Sequence, residues 1–325
     1  MKMNLNRREF LKVSALGAGG VVATAVLPAA AQDDPGAFPY RGDVERLVLA
    51  YQHVHIGLEK PFSVLHISDT HLTAIDDDET DKFDFARLRR RTFGGRQEEA
   101  LRDSLAWARK NVDAVVHTGD IIDFQTKANL RLVEKYFGTA GVPMAASMGN
   151  HEFRRHIGGE RIEPTDAFNA LSRETLAKSY PFDIELQSTV IGGVNFVTIE
   201  QVYGFVTARQ VERFAAEVKK GLPIVLCMHV PFMTDGIWRA KSKYRDSCDR
   251  KYTNAALPDP TGDYKRQTED RTTAEFVRYL KSEPLLKAIL AGHLHITVAD
   301  RFSPTAMEYV IGGNFMFHGE EVLFT

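Results

Sequence analysis

Metal-binding side chains follow five short apolar runs of this sequence, in each case where the run ends. The runs are 62–67, 114–117, 143–148, 223–228 and 286–290, and their length and composition predict buried strands. The side chains that follow them belong to Asp69, His71, Asp120, Asp123, Asn150, His151, Glu152, His229, His293 and His295. Ligands of open α/β sheets bind at the carboxyl ends of the strands. We therefore expect these groups to meet at one edge of a sheet.

The donor types limit which metals such a site could hold. Two carboxylates, one amide oxygen and four imidazoles are supplied by Asp69, Asp120, Asn150, His71, His229, His293 and His295. This nitrogen-rich set suits Zn, Fe, Mn, Ni or Co, and it does not suit Ca or Mg alone. Seven ligands are more than one metal ion needs. Two metal ions that share a carboxylate are the simplest arrangement.

The rest of the sequence alternates between such runs and longer amphipathic segments. Apolar residues recur at three- and four-residue spacing in 96–110, 128–137, 207–220 and 273–280, which predicts helices and an α/β fold. The runs 182–189 and 194–200 flank two glycines and predict a hairpin, and strand-like pieces follow residue 296. We therefore expect a sheet with antiparallel parts. The simplest organisation is one domain over 61–325, preceded by an N-terminal extension over 32–60.

Five motifs, in their order along the chain, resemble those of the calcineurin-like metallophosphoesterase family. They are D-x-H from Asp69, G-D-x-x-D from Gly119, G-N-H-E from Gly149, a histidine at 229, and G-H-x-H from Gly292. The resemblance spans residues 62–295 and implies an α/β sandwich of two mixed β-sheets flanked by helices. It also implies a binuclear-metal-dependent phosphoric ester hydrolase, a phosphatase or phosphodiesterase, in which a hydroxide between the metals attacks phosphorus.

The resemblance also implies a role for each motif residue. The first metal would be held by Asp69, His71 and His295. The second would be held by Asn150, His229 and His293, and Asp120 would bridge the two metals. The cofactors would be two divalent or trivalent transition-metal ions, with Fe, Mn or Zn expected. His151 would be the catalytic residue, which stabilises the phosphoryl charge or protonates the leaving group.

Two acidic residues are expected to support this site. Glu152 is placed to orient His151, and Asp123 could hold a ligand imidazole. An acidic residue after a strand is also often a helix N-cap or a solvated side chain, and this alternative stays open for both. His66 and His117 lie inside strand runs, so we expect them to be hydrogen-bonded core histidines.

Composition excludes some classes of protein. The 325 residues carry 41 basic and 43 acidic side chains, for a formal net charge of −2. Non-specific binding to nucleic acids needs a basic excess, so we expect no stable nucleic-acid partner. Two cysteines, Cys227 and Cys248, cannot form a disulfide framework or a four-thiolate metal site.

The first 31 residues resemble a twin-arginine (Tat) export signal. Arg7 and Arg8 precede an Ala-, Gly- and Val-rich stretch over 13–26, and small residues at 29–31 form a cleavage pattern. The alternative is an N-terminal membrane anchor, for which the stretch has few strongly lipophilic residues. We therefore expect export by the twin-arginine translocase to a bacterial periplasm or to the medium. That route carries folded cargo, which suits a protein that binds its cofactor before export.

Substrate choice is expected to lie in loops around the metal edge. The stretch 232–266 is long for a connection and lacks sustained periodicity, and it contains Trp238 and Arg239 among other aromatic and basic residues. A cationic lid over a small-molecule or lipid phosphate ester is one interpretation, and a solvated charged loop is the other. Arg154 and Arg155 are further candidates for substrate contacts, whereas the run 89–91 is expected on a helix surface.

Two other functions are alternatives to a phosphatase or phosphodiesterase of small substrates. A nuclease or cyclic-nucleotide phosphodiesterase would need aromatic residues that stack on bases near the site, and Trp238, Tyr244 and Tyr252 leave this open. A non-catalytic binding module of the same fold would be expected to lack ligands. The sequence retains all seven ligands implied by the resemblance, and His151 as well.

Overall fold

The fold is built on two mixed β-sheets, seen in a computed structural model that describes residues 47–153, 166–247 and 261–325. The first sheet has five strands: β1 (Val48–Val54), β2 (Phe62–Ile67), β3 (Ala114–Thr118), β4 (Met144–Ser147) and β11 (His318–Phe324). Their order is β1-β11-β2-β3-β4. β2, β3 and β4 run parallel, whereas β11 is antiparallel to β2 and parallel to β1.

The second sheet has six strands, β5 (Leu186–Ile191), β6 (Val194–Ile199), β7 (Ile224–Cys227), β8 (Leu286–Ala291), β9 (Val298–Arg301) and β10 (Met307–Val310). Their order is β5-β6-β7-β8-β10-β9, with parallel pairing from β6 to β10 and an antiparallel strand at each edge. The predicted hairpin is confirmed, because β5 and β6 pair antiparallel around Gly192 and Gly193. The antiparallel parts expected from the tail are β9 and β11.

Helices cover the outer faces of both sheets. They are α1 (Phe83–Thr92), α2 (Gln97–Asn111), α3 (Lys127–Gly138), α4 (Asp166–Ser179), α5 (Ala208–Val218), α6 (Asp235–Ser247), α7 (Thr261–Glu269) and α8 (Arg271–Ser282). Side-chain caps begin several of them, including the Thr207 capping box of α5 and the Asp270 cap of α8. All four helices predicted from periodicity are confirmed within a few residues. None of the helices in the described part of the chain is long and apolar enough to span a membrane.

Three groups of buried residues produce the layered arrangement. Side chains from both sheets form the inner core, where the rings of Phe62 and Phe324 stack at 5.0 Å and Phe196 meets Phe324 edge-on at 5.5 Å. The outer face of the first sheet packs on helices through residues such as Leu101 and Val133. Phe214, from α5, belongs to the corresponding cluster of the second sheet. The structure is therefore the α/β sandwich of two mixed sheets that the family resemblance implied.

The stretch expected to be a long aperiodic connection, 232–266, is helical where it is described. α6 occupies Asp235–Ser247, and α7 begins at Thr261. Contacts from distant residues support α6, since the Gly236 N–H donates to Asp300 Oδ2 at 2.7 Å and Ile237 is fully buried. Four of the 13 residues of α6 are basic, and its apolar residues are too few for sustained periodicity. The loop prediction was wrong for the described part of this stretch, and residues 248–260 lie outside the described residues.

Strand β1 lies inside the stretch expected to be an N-terminal extension, 32–60. It pairs with β11 along its whole length and forms one edge of the first sheet. Most of its side chains are exposed or partly exposed, as is usual for an edge strand. The apolar residues at 47–51 are the signal from which this strand could have been predicted. The export signal expected over 1–31 lies outside the described residues.

Candidate metal centre

Five strand ends, three from the first sheet and two from the second, meet at one edge of the sandwich. Asp69 and His71 follow β2, Asp120 follows β3 and Asn150 follows β4. His229 follows β7, and the two histidines at 293 and 295 follow β8. Two contacts join the sheets here: the His293 N–H donates to Asp69 Oδ2 at 2.9 Å, and Nδ1 of His229 lies 2.7 Å from the carbonyl oxygen of Thr118. The edge predicted from the sequence is therefore formed by both sheets.

A first cluster of ligand atoms comprises Asp69, His71 and His295. The Nε2 atom of His295 lies 3.2 Å from Asp69 Oδ1 and 3.2 Å from His71 Nε2. His71 Nε2 lies 3.8 Å from Asp69 Oδ1. All three side chains are buried, with Asp69 and His71 wholly inaccessible. This is the set expected to hold the first metal.

A second cluster comprises Asp120, His229 and His293. His229 Nε2 lies 3.2 Å from Asp120 Oδ2 and 3.2 Å from His293 Nδ1. Asp120 Oδ2 also lies 3.7 Å from Nε2 of His71, which belongs to the first cluster. Because its oxygen faces both clusters, Asp120 occupies the position that a bridging ligand requires.

Several of these atoms lack the partners that buried polar atoms normally have. Within the described residues, Asp69 Oδ1 and Asn150 Oδ1 are buried and accept no hydrogen bond. Two pairs of imidazole nitrogens face each other at 3.2 Å, an arrangement in which at most one nitrogen of each pair can donate. A cation between such lone pairs would satisfy all of them. The residues therefore fit two metal ions.

The backbone at the ligands is strained. Left-handed conformations, with φ between 51° and 67°, occur at Asp69, His71, Asp120, His293 and His295. Such a conformation costs an L-residue roughly 1–2 kcal/mol, and it persists only where the surrounding structure enforces it. The strain turns each of these side chains at the end of its strand toward the shared site.

Glycines allow the strand ends to approach one another. A Cβ atom on Gly149 would lie 2.2 Å from Asp120 Oδ1, and one on Gly292 would lie 1.8 Å from Ser68 Oγ. Gly119 has φ +90°, and a Cβ there would lie 2.7 Å from the Gly149 nitrogen. The three glycines that precede the ligand motifs are therefore required because backbone and side-chain atoms of the neighbouring strand ends leave no room for a Cβ.

Glu152 acts on the backbone and not on His151. Its Oε1 accepts hydrogen bonds from the N–H groups of Ile121 and Ile122, at 2.6 and 3.1 Å. Its Oε2 accepts from those of Asp120 and Gly149, at 3.0 and 2.7 Å. The expectation that Glu152 orients His151 was wrong, because the turn after β4 points the carboxylate back at the turn after β3.

Asp123 holds two imidazoles. Its Oδ1 lies 2.6 Å from Nδ1 of His151 and 3.2 Å from Nδ1 of His71. Burial opposes ionisation of Asp123, but hydrogen bonds from Arg89 and the two histidines outweigh it and hold its pKa well below the ordinary value. Asp123 therefore supports both a ligand imidazole, as expected from the sequence, and the candidate catalytic histidine.

Three buried groups of the site have pKa values far from their ordinary ones. Burial opposes ionisation of Asp120, but the neighbouring His229 and His151 hold its pKa well below the ordinary value. Burial likewise opposes a charge on His229, yet Asp120 and Asp69 raise its pKa to about 10. In Glu152, burial and the Asp120 carboxylate raise the pKa to about 7, against the effect of its backbone donors.

The sequence-predicted substrate residues are not brought to the metal centre by any described contact. Trp238 is 39% exposed on α6 and packs at 5.6 Å against Tyr264 of α7. Arg239 donates a hydrogen bond to the carbonyl oxygen of Asp235 in its own helix. Arg154 and Arg155 lie outside the described residues.

Two histidines were predicted to be hydrogen-bonded core residues, and both predictions are confirmed. His66 is buried and contacts Glu320 at 3.2 Å and Thr118 Oγ1 at 2.9 Å. His117 is also buried, and its Nε2 lies 2.8 Å from Thr70 Oγ1.

Sequence reasoning missed the aromatic residues around the first cluster and the arginine that supports it. Phe93 stacks on His71 at 4.1 Å, and Phe315 meets His295 edge-on at 5.1 Å. Arg89 was expected on a helix surface, but its side chain is only 13% exposed and binds Asp123. No local pattern marks these residues, because each acts on a group far away in the sequence.

The described residues also border a cavity of about 730 Å³ beside α4 and the start of α5. Its lining includes Phe153, Arg173 and Glu200, and Arg173 forms an ion pair with Glu200. None of the seven metal-ligand candidates lines this cavity. The chemistry is therefore assigned to the metal centre and not to this cavity.

The chain matches the calcineurin-like phosphoesterase family over residues 62–297 and belongs to it. The family is one of binuclear-metal-dependent metallophosphoesterases. Comparison with curated protein sequences gives no match.

Solved structures of similar fold include a dimetal phosphatase from Danio rerio, which is 14% identical, with 78% of this chain and 88% of that chain covered and a TM-score of 0.49. A purple acid phosphatase from yellow lupin (Lupinus luteus) seeds is 14% identical, and the match covers 79% of this chain and 45% of that chain with a TM-score of 0.42. A 5'-nucleotidase from Candida albicans is 12% identical, and the match covers 83% of this chain and 48% of that chain with a TM-score of 0.40. This chain spans about half the length of the last two.

Replacing Glu152 by Gln should destabilise the protein and weaken metal binding. The amide group would keep one oxygen acceptor and place an NH₂ donor against backbone N–H groups, at a cost of roughly 1–3 kcal/mol for each buried donor left without an acceptor. Calorimetry and elemental analysis would measure the melting temperature and metal content. Glu174→Gln, at an exposed residue of α4 paired with Lys178, is the matched control. Wild-type values for Glu152→Gln would contradict the assigned role.

Proposed function

We propose that this protein is an exported hydrolase of phosphoric esters that uses two metal ions. The observation that supports the proposal most directly is the convergence of two ligand clusters on the shared carboxylate of Asp120. The first metal would be held by Asp69, His71 and His295, the second by Asn150, His229 and His293, with Asp120 between them. The donor set favours Fe, Mn or Zn.

When bound, two such ions lower the pKa of a water molecule and neutralise charge on a phosphoryl group during in-line displacement. The chain supplies the remaining functions. The buried carboxylates and imidazoles would fix the positions of the metals, and thereby the position of a bound phosphate. Asp123 orients the imidazoles of His71 and His151, and Glu152 holds the turns that carry Asp120 and Asn150. Phe93 and Phe315, which are 3% and 7% exposed, pack on the ligand imidazoles and keep water away from their outer faces.

His151 is the group proposed to act on the leaving oxygen. Its Nδ1 contacts the Asp123 carboxylate, so this nitrogen carries a hydrogen and the other nitrogen, Nε2, faces the site. Nε2 lies 3.9 Å from Asp120 Oδ2, on the side of the ligand clusters. In its protonated form His151 would donate from Nε2 to the leaving-group oxygen or to a phosphoryl oxygen.

The substrate is proposed to be a small-molecule or lipid phosphate ester. The nuclease or cyclic-nucleotide alternative needs free aromatic faces for base stacking. Among the described residues, the rings nearest the metal ligands are buried against them, and the exposed pair of Trp238 and Tyr264 has no described contact with the centre. Tyr252 lies outside the described residues, as does the side chain of Tyr244. The alternative of a non-catalytic binding module is not favoured, since the ligand set is complete.

Elemental analysis of the purified protein, combined with rates on p-nitrophenyl phosphate and bis(p-nitrophenyl) phosphate, tests the proposal. We expect two equivalents of transition metal per chain and hydrolysis of at least one ester. The ratio of the two rates would distinguish a monoesterase from a diesterase. A protein that binds both metals and hydrolyses neither ester would favour the binding module instead.

Replacing Asp120 by Asn should remove metal and abolish hydrolysis, because the bridging charge between the two clusters is lost. Metal content and hydrolysis rate are the measurements. Asp84→Asn is the control, since this carboxylate is 94% exposed and lies on α1, away from the ligands. Full activity with unchanged metal content would rule out the two-metal arrangement.

Replacing His151 by Ala should leave the metals bound but lower turnover, typically by ~10²- to 10⁴-fold for a lost proton-transfer group. The loss should be larger for a phenyl ester than for the p-nitrophenyl ester, because only the poorer leaving group needs protonation. His55→Ala, at an exposed histidine of the described chain, is the control. An unchanged rate on the phenyl ester would remove His151 from this role.

Export is proposed from the sequence pattern of residues 1–31, with a twin-arginine translocase as the transient partner and the periplasm or the medium as the destination. Replacing both Arg7 and Arg8 by Lys should retain the full-length precursor in the cytoplasm. Fractionation of a bacterial host with and without that translocase measures the effect. Wild-type protein that keeps residues 1–31 and stays in the membrane fraction would instead support the anchor alternative.

A further inference from the structure

The carboxylate of Asp123 is shared among three side chains from different parts of the fold. Nδ1 of His71 and Nδ1 of His151 both contact its Oδ1, and the guanidinium of Arg89 donates to both of its oxygens. Asp123 itself is completely buried. Its orientation therefore controls a metal ligand and the candidate catalytic histidine at once.

Arg89 binds this carboxylate through a planar, bidentate pair of hydrogen bonds. Its Nε lies 2.6 Å from Asp123 Oδ2 and its NH2 nitrogen lies 2.7 Å from Oδ1. Such forked pairing fixes the plane of a carboxylate as well as its position, which a lysine ammonium cannot do. The charge of Arg89 also compensates the buried carboxylate, which would otherwise be costly.

Stacked rings hold Arg89 in place. Its guanidinium carbon lies 4.6 Å from the centre of the Phe93 ring, which also stacks on the His71 imidazole at 4.1 Å. Arg89 therefore reaches His71 by two routes, through Asp123 and through Phe93. The other arginines of α1 with described contacts do not share this geometry, since Arg87 pairs with the exposed Asp84 and Arg90 donates to the carbonyl oxygen of Thr73.

We propose that Arg89 is a positioning residue that holds the Asp123 carboxylate in the plane from which it accepts both Nδ1–H groups. With Nδ1 of each ring committed to Asp123, Nε2 of His71 is left for a metal and Nε2 of His151 is left for the substrate. The catalytic part of this inference rests on the proposed function. The metal-binding part does not.

Replacing Arg89 by Ala tests the inference. At saturating metal, we expect kcat to fall by ~10- to 100-fold while KM stays near the wild-type value, and metal affinity in competition with a chelator to weaken by a similar factor, as is usual when a partner of a ligand is lost. Added guanidinium ion should restore part of both losses. Arg87→Gln is the matched control on the same helix.

Arg89→Lys separates geometry from charge. Because an ammonium keeps the charge without the fork, we expect it to retain the fold but recover little of the lost kcat and metal affinity. Full recovery by Lys, or a wild-type kcat and metal affinity in Arg89→Ala, would overturn the positioning role. If Arg89→Ala fails to fold, the kcat and metal affinity of Arg89→Lys still test the positioning role.

The double variant Arg89→Ala with Asp123→Asn shows whether the effect passes through Asp123. If it does, the double variant should lose no more kcat and metal affinity than Asp123→Asn alone. Multiplied losses would overturn the inference. If the wild-type protein hydrolyses no ester, the proposed function fails, but the chelator competition still tests Arg89 independently.

Discussion

The buried carboxylate of Glu152 is the contact on which the metal edge depends. It accepts four backbone N–H groups, three from the turn after β3 and one from the turn after β4. These donors lie at strand ends, where no neighbouring strand is available, and buried N–H groups need acceptors. By satisfying them together, Glu152 holds the turn that carries Asp120 against the turn that carries Asn150. Glu152 therefore shapes the site without facing a metal.

Backbone strain and ligand convergence have the same origin. Residues at the ends of parallel strands would normally direct their side chains to alternate faces of the sheet, but left-handed φ values turn five of the ligands toward one point. The conformations are sustained by close backbone packing at Gly119, Gly149 and Gly292, and metal binding would add stability to the folded state alone. A strained, buried cluster in which Asp69 Oδ1 and Asn150 Oδ1 accept no hydrogen bond from the described residues is therefore what a centre that is complete only with its metals requires.

The last part of the chain contributes to a site whose motifs all precede it. The Asn314 N–H donates to the carbonyl oxygen of Ser68, and the Phe315 N–H donates to that of Asp69. Phe315 also packs against His71 and His295. These residues lie beyond 297, where the match to the family ends. Together with Arg89 and Phe93 they enclose the first ligand cluster, so this half of the centre is supported by parts of the chain outside the motifs.

Ligand identity and the succession of strands and helices along the chain could be predicted from the sequence because both are local properties. Each ligand follows its own apolar run, and the strands carry their donors at the same end whatever surrounds them. The supporting contacts could not be predicted in this way. Glu152 follows His151 in the chain yet binds the opposite turn, Arg89 stands in a run of surface-like arginines yet binds a carboxylate 34 residues away, and α6 depends on Asp300. The sequence by itself therefore determined the donors and the class of chemistry. Only the tertiary structure decided what holds them, because hydrogen bonds and ring contacts between distant segments leave no periodicity in the chain.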